Sequence, residues 1–374
     1  MKGAGPMLAP VFSGGPGGSG GSMRVLVLGY QNRTGVAETI QQLRPLIEQK
    51  VEIVQEDLTG KADLSCTEAD IALVFGGDGS ILRAVQQMGT HQLPVLSVNL
   101  GRLGFLAGLS RNDSLPDVLE KLSLLKRDHG PSWLEMLRGR DQNISPICGE
   151  IQSAESHSKA GRQCKDERHG CGEQYDMFGF SISSHRLLNC LVTLDGPQTS
   201  DSQPGISSFV MNEVTIQSAD FHIVEVDIWA DGEFLTTCHC DGLILGTPIG
   251  STAHNLSAGG PILRPGLDAV VLSPVAPHSM TFRPIVDSAQ RTFCFRLTSG
   301  SGKAAVVVDG TRIAEITAKE TVYVTPSKNS LQMIELPGSS NFLKLQKKLG
   351  WGGHFVNVEN RISGIDNTFG KESE

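Results

Sequence analysis

An aspartate set among glycines is the residue of this chain with the clearest chemical potential. Asp78 lies in Gly76-Gly77-Asp78-Gly79-Ser80, between the apolar run 71–75 and the segment 81–88, whose apolar residues recur at helical spacing. We therefore expect a strand-to-helix turn, where backbone N–H groups and the helix dipole favour a phosphate. A carboxylate at such a turn either holds a metal ion or accepts a proton from an attacking hydroxyl. A tight turn in which Asp78 only caps the helix is the alternative.

A second unusual run covers residues 241–263. A strand leads into Thr247-Pro248-Ile249-Gly250-Ser251-Thr252, and small and hydroxyl-bearing residues follow at a predicted helix start. Such an end offers N–H groups and hydroxyls to a phosphate or ribose, and its alanines let a flat base approach closely. An ordinary strand-to-helix connection is the alternative. Asn212-Glu213, inside a β-rich run, could bind ribose hydroxyls or an amide, although polar residues facing solvent on a strand are common.

The elements around Asp78 alternate between β and α, which predicts a parallel sheet with helices on its faces. Ligands of such sheets bind beyond the carboxyl ends of the strands, where both the Asp78 turn and the glycine-rich segment 99–105 are expected. We assign this α/β domain to residues 23–135. Its predicted strands and helices are 24–30, 36–50, 51–55, 71–75, 81–88, 94–99 and 113–126.

The second half of the chain reads as an all-β domain, residues 136–340, followed by a helix at 341–349 within a segment 341–353 that packs back onto the core. Its predicted strands are 187–194, 209–217, 224–229, 242–245, 269–272, 292–297, 304–308 and 321–325. Residues 138–176 are polar and aperiodic and predict a surface insertion. The insertion contains His157, Cys164, His169 and Cys171, so a zinc site is conceivable, but the spacing of these residues fits none of the strong zinc-ligand patterns. Residues 1–22 and 354–374 are expected to be tails, the first glycine-rich and disordered.

Composition limits the classes of partner. A length of 374 residues favours two domains. The net charge of −8 provides no basic field for nucleic acid or an anionic membrane, so an anionic substrate must be held locally. The eight cysteines have no regular spacing, which favours reduced thiols and a cytoplasmic location. We find no apolar run of the ~18 residues that a transmembrane helix needs.

Taken in order, the motifs closely resemble those of NAD kinases. The resemblance runs from Met23 to about Gly353, outside the insertion. The first motif is also shared by phosphofructokinases and by diacylglycerol and sphingosine kinases, whereas the run after Thr247 is highly specific. The matching segments are Gly76 to Ser80, Asn99 to Leu106, Asn212-Glu213, Asp241-Gly242, Thr247 to Ala253, Pro277-His278-Ser279, Arg283-Pro284 and Asp309-Gly310.

The resemblance implies transfer of a phosphoryl group from ATP to the 2′-hydroxyl of the adenosine ribose of NAD, giving NADP; some members also take polyphosphate. It implies a Rossmann-like, phosphofructokinase-like α/β domain, a β-sandwich C-terminal domain, and a homodimer or homotetramer. Magnesium would be coordinated mainly by the ATP phosphates and by water, without a dedicated set of protein ligands. Asp78 matches the proton acceptor. The residues that match ligand-contacting positions are Asp78, Gly79, Arg83, Asn212, Glu213, His222, His239, Asp241, Thr252, Ala253, His254, Asn255, Leu256, Ser257 and Thr311.

This sequence departs from the family at several positions. His254 stands where the family usually has Tyr, which keeps a flat ring and adds a titratable group. Ser80 replaces the commoner Thr, Asn255 occupies a position that is often small, and Thr311 stands where some relatives carry Gln. A lipid kinase of the diacylglycerol type is one alternative, opposed by the specific run after Thr247. A catalytically silent NADP-binding protein is another, opposed by the intact Asp78.

Overall fold

Two β-sheets form the framework of the chain in its computed structural model. The described residues are 22–101, 104–106, 108–109, 113–138, 178–194, 205–220, 222–279 and 281–350. The zinc candidates, residues 1–21, residues 351–374 and all of the predicted insertion except Arg138 lie outside these ranges. No helix among the described residues is both long and apolar enough to cross a membrane.

The first part of the chain is the predicted parallel sheet with helices on both faces. Its strands have the order β2-β1-β3-β4 and all run parallel. Helices α1 and α3 cover one face, and α2 covers the other. Both faces of β1 and β3 are therefore buried, which explains their continuous apolar sequences. The elements are β1 (Arg24–Leu28), α1 (Val36–Glu48), β2 (Glu52–Asp57), β3 (Ile71–Phe75), α2 (Asp78–Met88), β4 (Val95–Val98), α3 (Leu115–His129) and α4 (Trp133–Arg138).

The second part is a β-sandwich, as predicted. Alternate side chains of its two sheets enclose one apolar core, in which Val226 and Val322 of one sheet belong with Ile216 and Val306 of the other. Its elements are β5 (Ser181–Leu194), β6 (Ile206–Val210), β7 (Glu213–Ser218), β8 (Val224–Ala230), β9 (Glu233–Cys240), β10 (Gly242–Gly246), α5 (His254–Ser257), β11 (Ala269–Val275), β12 (Ile285–Ser288), β13 (Phe293–Leu297), β14 (Ala304–Val308), β15 (Thr311–Ile316), β16 (Glu320–Glu335) and α6 (Asn341–Leu349).

The strand β16 belongs to both parts. Its first residues pair with β13, and Met333 near its end pairs in parallel with Val95 of β4. β5 runs antiparallel along its length, so ten strands form one sheet. The other sheet has the order β12-β11-β10-β7-β14-β15. Only 321–325 was predicted as strand here, because the polar stretch Pro326 to Asn329 interrupts the apolar alternation and coincides with a register shift.

Several strands differ from the sequence prediction. The segment 209–217, predicted as one strand, is divided between β6 and β7 at Met211-Asn212. The strands β9, β12 and β15 were not predicted at all. Among the described strands, each of the three lies at the edge of a sheet. Most of their side chains are exposed or half-buried, so their sequences lack the regular apolar alternation that indicates a strand.

Candidate active site

Asp78 is the first residue of α2 and lies at the carboxyl end of β3. The turn from β3 into α2 requires a glycine at position 76, because Gly76 has φ 132° and a Cβ there would overlap the side chain of Ser80. The two carboxylate oxygens of Asp78 accept the backbone N–H groups of Phe105, at 2.9 Å, and Leu106, at 3.2 Å. These bonds reach across to the loop after β4, so Asp78 does more than cap its helix.

Gly104 adds a steric limit on the other side of this carboxylate, because a Cβ at Gly104 would overlap an oxygen of Asp78. The segment 104–106 is therefore shaped around the aspartate. Gly104 to Leu106 belong to the motif that the sequence singled out, but the bonds to Asp78 were not foreseen. Nothing in the sequence shows which side chain the N–H groups of a glycine-rich loop will meet.

Asp309 shapes the second part of the site and was absent from the predicted site residues. Its carboxylate accepts the backbone N–H groups of Met211, Asn212 and Glu213 at 2.9, 2.7 and 3.1 Å. This is the break between β6 and β7. Asp309 has φ 49°, and Gly310 follows it in the turn between β14 and β15. Burial raises the pKa of Asp309 although the three N–H donors oppose that effect.

Glu213 is buried, with 7% of its surface exposed. The backbone N–H of His254 donates to its carboxylate, while Oε2 has no partner among the described residues. Burial and the nearby charge of Asp309 raise the pKa of Glu213 to about 7. A buried carboxylate oxygen without a partner is costly in a folded protein and is typical of a site that a ligand completes.

The turn 247–252 is fastened to the backbone beside Glu213. Thr247 donates its N–H to the carbonyl of Asn212 at 2.8 Å and its hydroxyl to that of Met211 at 2.6 Å. Gly250 presses on the same carbonyl of Asn212, which a Cβ would overlap. The two motifs, more than thirty residues apart in the sequence, are therefore one structural unit.

The segment after this turn contains both exposed and buried residues. His254 and Ser257 are exposed, while Thr252, Ala253 and Leu256 are partly exposed. Asn255 is fully buried. Its amide nitrogen donates to the carbonyls of Ser251 and Pro261, both at 3.0 Å, and its oxygen accepts the Ser273 hydroxyl at 2.7 Å. These three bonds hold the loop together.

The loop that holds Asp78 and the turn 247–252 line one cavity. Phe105 and Leu106 line it from the side of Asp78, and Ile249 and Thr252 line it from the other. The helix α2 is also tied to β6, because Gln86 donates to the carbonyl of Phe209 at 2.6 Å. The structure thus brings the loop that holds Asp78 next to the turn that is fastened beside Glu213.

Arg83 and Gly79 lie on the exposed side of α2. The guanidinium carbon of Arg83 is 4.0 Å from the ring centroid of Tyr30, just beyond the carboxyl end of β1. This cation–π contact holds a positive charge on the side of the sheet where ligands of parallel sheets bind.

Three predicted site residues, Asp241, His239 and His222, lie far from Asp78 in the fold. Gly246 pairs with Glu213 at one end of β10, whereas Asp241 precedes its other end, roughly 15 Å away at the usual rise of a strand. His239 and His222 belong to the same region: His239 Nδ1 is 3.4 Å from Glu225, and the His222 N–H donates to Ser218, whose own N–H donates to Asp241. Within one chain these residues do not reach Asp78.

Thr311, the remaining predicted residue, is the first residue of β15 and is exposed, two residues after Asp309.

The described residues contain no group of three or more His, Cys, Asp or Glu side chains placed to hold a metal ion. Asp78 is a partly exposed carboxylate beyond the carboxyl end of β3. This donor set fits a magnesium ion carried mainly by the phosphates of a nucleotide.

The fold and the site define a nucleotide-dependent phosphotransferase, with an aspartate at a glycine-rich strand-to-helix turn and a buried carboxylate beside the turn 247–252. Residues 32–125 match the ATP-NAD kinase N-terminal domain, and residues 211–336 match the ATP-NAD kinase C-terminal domain. The chain is 35% identical over 340 residues to an NAD kinase of Rhodopirellula baltica, covering 91% of this chain and 90% of that protein. The chain belongs to the NAD kinase family, whose activity is EC 2.7.1.23.

Solved structures share this fold. Yeast NADH kinase complexed with NADH matches with a TM-score of 0.62 and 20% identity over 90% of each chain. An NAD kinase from Archaeoglobus fulgidus in complex with ATP matches with a TM-score of 0.54 and 21% identity over 88% of this chain and 99% of that one. The α/β sheet followed by a β-sandwich is therefore the architecture of this family.

Proposed function

We propose that the chain transfers the terminal phosphoryl group of ATP to the 2′-hydroxyl of the adenosine ribose of NAD, forming NADP and ADP. One observation carries the proposal. Asp78 is fixed by the N–H groups of Phe105 and Leu106, and these two residues line one cavity together with Ile249 and Thr252 of the turn that is fastened beside Glu213. A proton acceptor and a ribose-binding carboxylate are the two groups that this reaction requires of the protein.

In this reaction Asp78 accepts the proton of the attacking 2′-hydroxyl. A weak base suffices, because the loose transition state of phosphoryl transfer depends mostly on positioning and on charge neutralisation. Glu213 and Asn212 hold a ribose, and the exposed ring of His254 stacks on a base. Arg83 provides a cation for a phosphate. We assign Asn255 a positioning role, since its amide is fully engaged within the loop.

Magnesium bound to the ATP phosphates would neutralise the charge that develops during transfer. Asp78 is the carboxylate of the α/β part that can orient it, directly or through water. We also propose a cytoplasmic homodimer or homotetramer built through the β-rich domain. Exposed apolar side chains on edge strands support this assembly, namely Phe234 and Leu235 of β9 and Ile285 and Val286 of β12. Sedimentation velocity measures the assembly directly.

The test is NADP formation from NAD and Mg-ATP, read with an NADP-specific dehydrogenase. We expect Asp78→Asn to lower kcat by about 10²–10⁴, because an amide cannot accept the proton. The matched control is Asp117→Asn, an exposed aspartate in the first turn of α3, which should leave kcat unchanged.

Three other outcomes would contradict the proposal. Unchanged turnover of Asp78→Asn would remove this residue from the mechanism. Tight NADP binding without turnover by the unmodified chain would indicate a binding protein. Phosphorylation of diacylglycerol without phosphorylation of NAD would indicate a lipid kinase. Polyphosphate in place of ATP tests the range of phosphoryl donors.

A further inference from the structure

The C-terminal helix α6 contacts the loop that holds Asp78. Lys348 Nζ lies 5.3 Å from the ring centroid of Phe105, within cation–π range. The backbone N–H of the same Phe105 donates to the Asp78 carboxylate at 2.9 Å. One residue therefore separates α6 from the proton acceptor.

A second lysine fastens α6 to β16. Lys344 Nζ lies 3.1 Å from Glu335 Oε2, and the two side chains are only 13% and 8% exposed. Glu335 also accepts the hydroxyls of Ser339, at 2.8 Å, and Ser183, at 3.0 Å. Burial opposes ionisation of Glu335, but Lys344 and these hydroxyls outweigh it and lower its pKa. Removing one partner of such a buried pair leaves a charge without compensation.

The rest of α6 contributes little to its docking. No residue of the helix is fully buried, and Phe342 is 67% exposed. Leu345 lines the same cavity as Phe105 and Leu106. A helix of nine residues is not stable in isolation. Its position consequently depends on Lys344, Leu345 and Lys348.

We propose that α6 is a positioning element for Asp78, with Lys344 as its anchor and Lys348 as its contact with the catalytic loop. Lys344 fixes the helix, Leu345 fills the space beneath the loop, and Lys348 holds the ring of Phe105. Together they keep two N–H donors aligned on the carboxylate. The inference rests on the proposed function, because it assigns Asp78 the proton transfer.

The two walls of the cleft should respond differently when α6 is loosened. The Asp78 loop loses its support, whereas the Glu213 turn is held independently by Asp309. A displacement near 1 Å can lower a rate by about 10²-fold. The expected signature is a lower kcat with an unchanged KM for NAD.

The experiment compares single variants of the full chain in the NADP assay. We expect Lys344→Met to lower kcat about 10- to 100-fold and Lys348→Met about 3- to 10-fold, with KM for NAD within about twofold of the unmodified chain. The conservative changes Lys344→Arg and Lys348→Arg keep the charge and should restore most of kcat. The matched control is Lys347→Met, which replaces an exposed lysine of the same helical turn.

Amide hydrogen exchange gives a readout that does not depend on turnover. The amides of Phe105 and Leu106 should exchange faster in Lys344→Met and Lys348→Met, and at the normal rate in Lys347→Met. An active unmodified chain whose lysine variants keep both kcat and exchange rates would overturn this inference. An inactive unmodified chain would instead overturn the proposed function. If Lys344→Met is unfolded by circular dichroism, Lys348→Met, which breaks no buried ion pair, decides the question.

Discussion

At the scale of single residues, two carboxylates with different surroundings divide the work of the site. Asp78 is partly exposed, and both of its oxygens accept backbone N–H groups. Glu213 is buried, and one of its oxygens has no partner among the described residues. Such a difference in environment lets one fold assign distinct chemical roles to similar side chains.

The raised pKa of Glu213 predicts a pH dependence of stability. Its folded pKa of about 7 exceeds the ordinary value of 4.5, so between these pH values the folded chain keeps a proton that the unfolded chain has lost. The stability gained in this way is fully present below pH 4.5 and is lost as the pH rises through 7. We therefore expect the Tm of the unmodified chain to fall more between pH 5 and 8 than that of Glu213→Gln. Differential scanning calorimetry measures both, and parallel Tm profiles would contradict the assignment.

The position of the Glu213 carboxylate also leads to a prediction about substrate binding. Glu213→Ala removes an acceptor from the proposed ribose site, so KM for NAD should rise while KM for ATP stays unchanged. Steady-state kinetics with each substrate varied in turn measures the two constants. An increase confined to ATP would mean that the two ligand sites have been interchanged.

At the scale of elements, the turn between β6 and β7 depends on a residue from another turn. Asp309→Ala would leave the N–H groups of Met211, Asn212 and Glu213 without their acceptor. At about 1–3 kcal/mol for each unpaired buried donor, we expect the free energy of unfolding to fall by roughly 3 kcal/mol or more. Urea denaturation measures the loss.

Asp231→Ala is the matched control for this substitution. Asp231 also has a positive φ, 52°, and also precedes a glycine, but its half-exposed carboxylate accepts one backbone N–H, from Thr292. The expected loss is about 1 kcal/mol. Equal losses in the two variants would show that backbone strain, and not the three hydrogen bonds, explains the effect at Asp309.

The sequence predicted elements and motifs where a local signal exists, and it missed contacts between distant segments. The strands and helices around Asp78 were confirmed because apolar runs and glycines mark them directly. The bonds from Asp309 to the turn at Met211 were not predicted, since they join segments about a hundred residues apart. The edge strands β9, β12 and β15 were missed because most of their side chains are exposed or half-buried and show no regular apolar alternation. The ion pair between Lys344 and Glu335 was likewise not predicted, because no sequence pattern marks it.

At the scale of the whole molecule, β5 and β16 run through both the α/β part and the β-sandwich. The two parts share central strands, so neither can lose its sheet while the other keeps it. We expect one cooperative thermal transition, with the calorimetric enthalpy equal to the van't Hoff value. Leu96→Ala in the first core and Val322→Ala in the second should each shift that single transition to lower temperature. Two separated transitions would show that the parts unfold independently.

The pairing of Val95 with Met333 also sets a waiting time during protein synthesis. More than two hundred residues separate these partners. At the usual speed of a ribosome, roughly 10 to 50 s pass between their appearance on the nascent chain. Throughout that interval the β4 edge has no second neighbour, and a bare strand edge invites pairing with other chains. The risk of aggregation in the growing polypeptide is thus governed by the rate of translation, and not by how fast the finished chain can fold.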